Sequence, residues 1–257
     1  MSIWVYQDTL LDPSKDEVQR DTCLFCKERL VNLDQQSDWN HYAALRACEI
    51  CGWWSKHRTI VSQGAGGEYF TLYGTCARLK SLDIADISTP IDEVKQYLVA
   101  KYEERFNVHP RMFEETVASV FRSFGFSAYV TSYQADGGID AILEDAKGQM
   151  VGVQVKRYRN KIQVEQIRAF AGALILSGYT KGIFVTTSSY SSGALKAIAG
   201  YESRGLPIEL VDAKRFYDAL RLSQREHFKD SSDWLSEVGQ VGDQLIYKDD
   251  GPTYLFM

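Results

Sequence analysis

The sequence predicts a mixed α/β sheet with helices on its faces, preceded by a small cysteine-rich module. Residues 110–222 alternate between helix and strand patterns in the order helix, three strands, helix, strand, helix, strand, helix. Alternating elements of this kind pack as layers around one sheet. Four of the five cysteines lie between positions 23 and 51. The formal net charge of −5 excludes a protein that coats nucleic acid through bulk positive charge.

The helices are predicted where apolar residues recur at spacings of three and four. The first ends at Gly125, because glycine favours the end of a helix. A third begins at Ser191, and Asp212 caps the last one, which runs to about Leu222. The apolar residues that define the first two helices are Phe113, Val117, Val120, Phe121 and Phe124, followed by Val164, Ile167, Phe170, Ala171 and Leu174.

Strands are predicted at residues 127–131, 139–143, 150–156, 182–186 and 207–211, and the turn at 145–148 joins the second and third as a hairpin. These boundaries divide the chain into a cysteine module at 1–60, a connecting segment at 61–109, an α/β domain at 110–222 and an acidic tail at 223–257. The connecting segment holds a turn with a short strand at 61–75. It then holds a helix capped by Thr89, with Pro90 as its first residue, that runs to about Arg105.

The strand at 150–156 carries the residues with the clearest chemistry. Side chains alternate between the faces of a strand, so the valines at 151, 153 and 155 face the core, while Gln154 and Lys156 share the opposite face. If the hairpin pairs as predicted, Asp140 reaches that same face. Carboxylate and amide oxygens suit Mg²⁺ or Mn²⁺, and a lysine beside them stabilises negative charge that grows on a phosphoryl group. Glu114, on the preceding helix, adds a further carboxylate; taken alone, an aspartate and a lysine on a strand more often only solvate a surface.

Several motifs of this segment resemble the Mrr-type restriction endonuclease domain of the PD-(D/E)XK nuclease superfamily. The resemblance covers about residues 110–222 and implies an αβββαβ core that cleaves double-stranded DNA with Mg²⁺. The matching motifs, in chain order, are Phe113-Glu114, Gly125-Phe126, Asp136-Gly137-Gly138-Ile139-Asp140, Gln154-Val155-Lys156-Arg157-Tyr158 and Val185-Thr186-Thr187 followed by Ala194.

The resemblance also implies roles for four residues. Asp140 matches the metal-binding aspartate, Lys156 the catalytic lysine, and Glu114 the glutamate of the first helix. Gln154 occupies a position that is acidic in most of the superfamily and is often glutamine in Mrr-like members. The substitution removes one negative charge, so metal binding is expected to depend more on Glu114.

A basic cluster follows the catalytic strand and is predicted to contact DNA phosphates, which fix register without reading sequence. It consists of Arg157, Tyr158, Arg159 and Lys161. Hydroxyl residues at 186–188 and Ser191 lie where a strand meets a helix N-terminus, and either phosphate binding or ordinary helix capping explains them.

The cysteines form two CxxC pairs, which predict a structural Zn²⁺ site in a zinc-ribbon-like module. The pairs are Cys23 with Cys26 and Cys48 with Cys51. Between them, a helix is predicted at about 40–46. Cys76 has no partner in this pattern and is predicted to be buried. The residues Trp39, Trp53, Trp54, Lys56, His57 and Arg58 either grip nucleic acid or form the small core of the module.

The favoured function is a metal-dependent DNA endonuclease in defence against foreign or modified DNA, acting as a homo-oligomer in the cytoplasm and without a membrane segment. The defence role and the oligomer follow from the resemblance alone. The alternative is a catalytically weak or inactive DNA-binding or sensor protein, in which the zinc module recognises the target or a protein partner. RNA cleavage and dependence on base methylation are left open by the sequence.

Overall fold

The computed structural model describes residues 3–5, 13–64, 67–132, 137–225 and 238–248. It divides the chain into two compact units. The N-terminal unit comprises residues 1–82 together with 224–257, and the second unit comprises residues 83–223. This division differs from the four segments predicted from the sequence, because residues 61–82 and the tail join the cysteine module, while residues 83–109 join the α/β domain.

The elements follow in chain order. They are β1 (Trp4–Val5), α1 (Lys15–Gln19), β2 (Val31–Ser37), β3 (His41–Ala47), β4 (Trp54–Gly64), β5 (Gly67–Cys76), β6 (Arg78–Leu79), α2 (Ile91–Ala100), a 3₁₀ helix (Tyr102–Phe106), α3 (Pro110–Ser123), β7 (Ser127–Val130), β8 (Ala141–Glu144), β9 (Met150–Lys156), α4 (Val164–Leu176), β10 (Gly182–Thr186), α5 (Ser192–Glu202), β11 (Ile208–Val211), α6 (Ala213–Arg225) and β12 (Gln244–Lys248).

The N-terminal unit is built on a five-stranded sheet in the order β12-β5-β4-β3-β2, in which all neighbours are antiparallel. The helix predicted at 40–46 is wrong, because these residues form β3. The run Ala43-Ala44-Leu45-Arg46 favours a helix locally, but hydrogen bonding to β2 on one side and β4 on the other overrides that preference. The predicted short strand at 61–75 is instead a long hairpin of β4 and β5.

The helix predicted from Thr89 to Arg105 is shorter than expected. Its N-cap is Pro90, and the hydroxyl of Thr89 donates to the carbonyl of Asp83 instead of capping the helix. The helix ends at Ala100 because Lys101 adopts φ −133° and ψ 70°, and the chain continues as the 3₁₀ helix. The hydroxyl of Tyr102 then donates to the carbonyl of Ala213 at 2.6 Å. This bond ties the 3₁₀ helix to the start of α6.

The second unit contains a mixed sheet in the order β11-β10-β9-β8-β7. Strands β9, β10 and β11 are parallel, and β7, β8 and β9 are antiparallel, so the predicted β8–β9 hairpin is confirmed. Helix α4 packs closely on β9 and β10 at two glycines. A Cβ atom on Gly152 or Gly182 would lie 2.6 or 2.4 Å from a methyl carbon of Leu174. The hairpin and α4 therefore fix the position of β9, which carries the predicted site.

Among the described helices, none is both long and apolar enough to cross a membrane.

Candidate active site

Strand β9 is covered on both faces. The valines at 151, 153 and 155 are buried as expected for core residues, but Gly152 and Gln154 on the opposite face are buried as well. Lys156, at the carboxyl end of the strand, is half-buried, as is Met150 at the other end. On the polar face of β9, Gln154 is therefore buried, and Lys156 at the carboxyl end is partly accessible to solvent.

Asp140 is held against β9 by two hydrogen bonds. Its backbone N–H donates to the carbonyl of Val153 at 2.8 Å, and its carboxylate Oδ2 accepts from the N–H of Val155 at 2.7 Å. The carboxylate therefore lies beside the backbone that carries Gln154. Both side chains are 7% exposed. Burial of this kind fixes the aspartate and the glutamine in one place.

A glycine turn leads into Asp140. Gly137 and Gly138 have φ values of 52° and 90°, which residues with a Cβ atom rarely adopt. A Cβ atom on Gly138 would lie 3.7 Å from Nε2 of Gln154, so the turn passes close to the amide. Asp136, which precedes the two glycines in the motif, lies outside the described residues.

Glu114 of α3 faces this site. Burial raises the pKa of its carboxyl, and the negative charge of Asp140 raises it further, while Arg111 and Lys156 lower it. The guanidinium of Arg111 lies 3.3 Å from the Glu114 carboxylate and also donates to the carbonyl of Thr131 at 2.5 Å. The charges of Asp140, Arg111 and Lys156 therefore all influence the protonation of Glu114. Arg111 was missed by the sequence analysis, although its i,i+3 spacing from Glu114 is a signal for such a pair.

In the basic cluster after β9, one residue is hydrogen-bonded to the protein backbone and the other three are exposed. The guanidinium of Arg157 donates to the carbonyl of Phe106, whereas Tyr158, Arg159 and Lys161 are exposed to solvent. The hydroxyl residues at 186–188 and Ser191, for which phosphate binding or helix capping was predicted, make hydrogen bonds within the protein. The hydroxyls of Thr187 and Ser188 donate to the carbonyls of the basic cluster, and Ser191 caps α5 by accepting from the N–H of Ala194. The sequence does not indicate two further residues of this region: Phe106, whose ring lies under Arg159, and Arg105, which donates to the carbonyl of Thr187.

The four cysteines predicted to bind zinc converge in the N-terminal unit. Their sulfur atoms all lie within 4.8 Å of one another, with Sγ–Sγ distances of 3.4 Å for Cys23–Cys51 and 3.3 Å for Cys26–Cys48. Four thiolates at about 2.3 Å from a tetrahedral Zn²⁺ are separated by about 3.8 Å, so the cluster has the size such an ion requires. Gly52 adopts φ 79°, and its N–H donates to the carbonyl of Cys48. The tight turn predicted after the second pair is therefore present.

Most of the aromatic and basic residues near the cysteines are buried or paired within the protein. Trp53 and Trp54 are fully buried, and so is His57, whose pKa burial lowers to about 4. Lys56 and Arg58 lie 3.3 and 3.1 Å from the carboxylate of Asp243 in the tail segment. Trp39 is the exception, with 84% of its surface exposed. The buried tryptophans support the prediction that they form the core of the module.

Comparison with known proteins identifies relatives of the second unit. Residues 106–220 match the family model described as a restriction endonuclease. The chain is 32% identical over 120 residues to the type IV methyl-directed restriction enzyme EcoKMrr of Escherichia coli (strain K12). That alignment covers 44% of this chain and 38% of the relative, so it spans well under half of the relative's length.

Two solved structures are similar over a larger part of the chain. The DNA modification-dependent restriction endonuclease AspBHI has a TM-score of 0.40 at 15% identity, covering 71% of this chain and 60% of its own. The restriction endonuclease FokI has a TM-score of 0.38 at 10% identity, covering 65% of this chain and 35% of its own. The family model and the Mrr relative agree on the same part of the chain: residues 106–220 are similar to restriction endonuclease domains of the Mrr type.

Proposed function

We propose that the second unit hydrolyses the phosphodiester backbone of double-stranded DNA in a reaction that depends on a divalent metal ion, and that it serves defence against foreign or modified DNA. One observation carries the proposal: the carboxylate of Asp140 is bonded to the strand that carries Gln154 and Lys156. A nuclease of the PD-(D/E)XK type needs an acidic group, a further oxygen ligand and a lysine at one end of such a hairpin. The match of residues 106–220 to the restriction endonuclease family model supports the same activity.

The donor set at this site fits a hard divalent cation. Asp140 and Glu114 offer carboxylate oxygens, and Gln154 offers an amide oxygen, which are ligands that suit Mg²⁺ or Mn²⁺. When bound, such an ion polarises a phosphoryl oxygen and lowers the pKa of bound water. The raised pKa of Glu114 supports this assignment, because burial and the neighbouring Asp140 make a second negative charge costly without a cation.

Each residue then has a separate part. The hydrogen bond from the N–H of Val155 to Oδ2 fixes the orientation of the Asp140 carboxylate beside Gln154. Gln154 contributes oxygen without charge, which leaves Glu114 as the second acidic group. Lys156 orients the attacking water and stabilises the negative charge that develops on the phosphoryl group. Its own carbonyl accepts from the hydroxyl of Thr186 at 2.9 Å, which fixes the end of the strand.

We further infer that the four cysteines hold a structural Zn²⁺. Burial raises the pKa of the Cys51 thiol, so a strong cation is needed to hold this residue as a thiolate. Four protein ligands leave no place for a substrate, which assigns the ion to stability. We also propose that this module recognises the DNA target or a protein partner. Two copies of the chain then act together, and each cuts one strand of the duplex.

The activity is tested with duplex DNA, methylated and unmethylated, incubated with the full chain and Mg²⁺, Mn²⁺ or EDTA. Lys156→Ala is expected to lower the cleavage rate by about 10²–10⁴-fold, which is the range for the loss of one charge-stabilising group. Asp140→Asn is expected to do the same while keeping an oxygen to accept from Val155. The control is Lys147→Ala, which removes an exposed lysine from the β8–β9 turn.

Cleavage by Lys156→Ala at the rate of the Lys147→Ala control, or cleavage that persists in EDTA, contradicts the proposed mechanism. A wild-type chain that binds duplex DNA but cuts none of the substrates supports the alternative, an inactive DNA-binding protein. The replacement of an acidic residue by Gln154 is the observation that keeps this alternative open to test.

A further inference from the structure

Two arginines of the basic cluster, two residues apart in the sequence, have different surroundings. Arg157 is half-buried, and its guanidinium donates to the carbonyl of Phe106. Arg159 is exposed, and its guanidinium lies over the ring of Phe106, 4.5 Å from the ring centre. One arginine is thus bonded to the protein backbone, while the other is exposed and packs on an aromatic ring.

The backbone between these arginines is held from the other side by hydroxyl groups. The hydroxyl of Thr187 donates to the carbonyl of Tyr158 at 2.9 Å, and the hydroxyl of Ser188 donates to the carbonyl of Arg159 at 3.1 Å. The N–H of Thr187 also donates to the carbonyl of Lys156. Consecutive bonds of this kind fix the course of a surface segment that directly follows the proposed catalytic lysine.

The ring of Phe106 also packs against another arginine, Arg105. The guanidinium of Arg105 lies 4.2 Å from the centre of the Phe106 ring, and its Nε donates to the carbonyl of Thr187 at 3.0 Å. Thr187 therefore contacts both the basic segment and the arginine that packs on Phe106. The 3₁₀ helix, the loop after β10 and the segment after β9 form one connected support.

We propose that Arg159 is a contact for the DNA phosphate backbone, held in place before DNA binds by Phe106, Thr187 and Ser188 as positioning residues, whereas Arg157 is an anchor of the segment. The proposal rests on the proposed function and adds to it which cation binds and what positions it. A guanidinium makes two parallel hydrogen bonds to a phosphate, so its orientation matters. A side chain that is already held on an aromatic ring loses less conformational freedom when it binds.

The test measures binding and cleavage separately. Binding of a fluorescent duplex is measured over a series of salt concentrations, with the full chain in an Asp140→Asn background to prevent cleavage. Arg159→Ala is expected to weaken binding about tenfold and to lower the slope of log affinity against log salt by about 1, as for the loss of one phosphate contact. In the cleavage-competent chain it is expected to raise KM and leave kcat unchanged.

The positioning residues have conservative partners that restore their contacts. Thr187→Val and Phe106→Leu are expected to weaken binding in the same direction as Arg159→Ala, whereas Thr187→Ser and Phe106→Tyr are expected to bind like the parent chain. Arg204→Ala is the control, since it removes an exposed arginine from the end of α5. A parallel thermal melt identifies any variant that fails to fold.

Affinity and salt slope equal to the Arg204→Ala control overturn the assignment of Arg159. Unchanged binding by Thr187→Val and Phe106→Leu, or weakening that their conservative partners do not restore, overturns the positioning roles. If the variants differ as expected but the wild-type chain cuts no DNA, the proposed nuclease activity fails and the inference about binding stands.

Discussion

Each unit of the chain contains a cluster of reactive side chains, and the two clusters differ in their exposure to solvent. In the N-terminal unit, four thiols are buried and their sulfur atoms lie within 4.8 Å of one another. In the second unit, Asp140 and Gln154 are buried, but Glu114 and Lys156 beside them remain partly accessible. A closed set of four ligands stabilises a fold, whereas an incomplete set leaves coordination positions for water and substrate. This difference is what the proposed function predicts, with a structural role for the first cluster and a catalytic role for the second.

The largest expected effect is the loss of the thiol cluster. Cys48→Ser removes one of four ligands, and structural zinc sites in small modules contribute on the order of 10 kcal/mol to folding. We expect the variant to lose its zinc and the sheet around β3 and β4 to lose protection from amide exchange. The second unit, which has its own core, keeps its protection. Zinc content and hydrogen exchange by mass spectrometry measure both effects.

Cys76→Ser provides the matched control for this change. Cys76 is buried in the same unit, but its sulfur is not among the four that converge. This variant is expected to retain one zinc per chain despite any loss of stability. Full zinc content and native exchange in Cys48→Ser would show that the cluster does not hold the fold together.

A smaller effect is expected from the core of the second unit, which depends on packing. A Cβ atom on Gly182 would lie 2.4 Å from Leu174 and 2.9 Å from Phe170, and both side chains are buried without room to move. Gly182→Ala is therefore expected to lower the free energy of unfolding of this unit by about 1–3 kcal/mol, the usual range for overpacking. Denaturant unfolding with and without a zinc chelator measures it.

Gly172→Ala is the control, because a Cβ atom there meets nothing within 4 Å. Gly172 lies inside α4, where alanine is favoured over glycine by up to about 1 kcal/mol, so this variant is expected to be as stable as the parent or more stable. Equal stability of the two alanine variants contradicts the close packing of α4 on β10. A chelator-dependent effect of Gly182→Ala contradicts the independence of the two cores.

The two units also differ in how far their sequences predict them. The bounds of β9 and β10 agree with prediction, because short valine-rich or apolar runs in a buried sheet are visible locally. In the N-terminal unit, the sequence predicts a helix where β3 forms, because the strand depends on hydrogen bonds to β2 and β4. Strand β12 pairs with β5 across about 170 residues, and the acidic tail gives no local pattern for it.

The candidate site shows the same limit. Strand alternation and the hairpin predicted that Asp140, Gln154 and Lys156 share one place, because both rules act over a few residues. The contacts of Phe106 and Arg105 could not be predicted. Both residues lie on the 3₁₀ helix, whereas the sequence predicts one continuous helix to about Arg105. The separation of Arg157 from Arg159 likewise depends on which backbone carbonyl lies nearby in the folded chain.

The smallest expected effect concerns the charge of Glu114. Its folded pKa is raised, mainly by burial and then by Asp140, so the native state binds a proton more tightly than the unfolded state. The stabilising contribution of protonated Glu114 is therefore present below the usual value of 4.5 and is lost as pH rises through the raised pKa. In the absence of a divalent ion, we expect the stability of wild type to fall over this window relative to Glu114→Gln.

Mg²⁺ sharpens the comparison, because a bound cation favours the ionised carboxyl and removes the reason for the raised pKa. We expect Mg²⁺ to abolish the relative fall in wild-type stability and to leave Glu114→Gln nearly unaffected. Thermal melts of both chains from acid to neutral pH, with and without Mg²⁺, measure this directly. Wild-type curves that coincide with and without Mg²⁺ would mean that Glu114 does not face the ion. The open cluster would then rely on Asp140 and Gln154 alone, which is a much weaker site than the closed cluster of thiols.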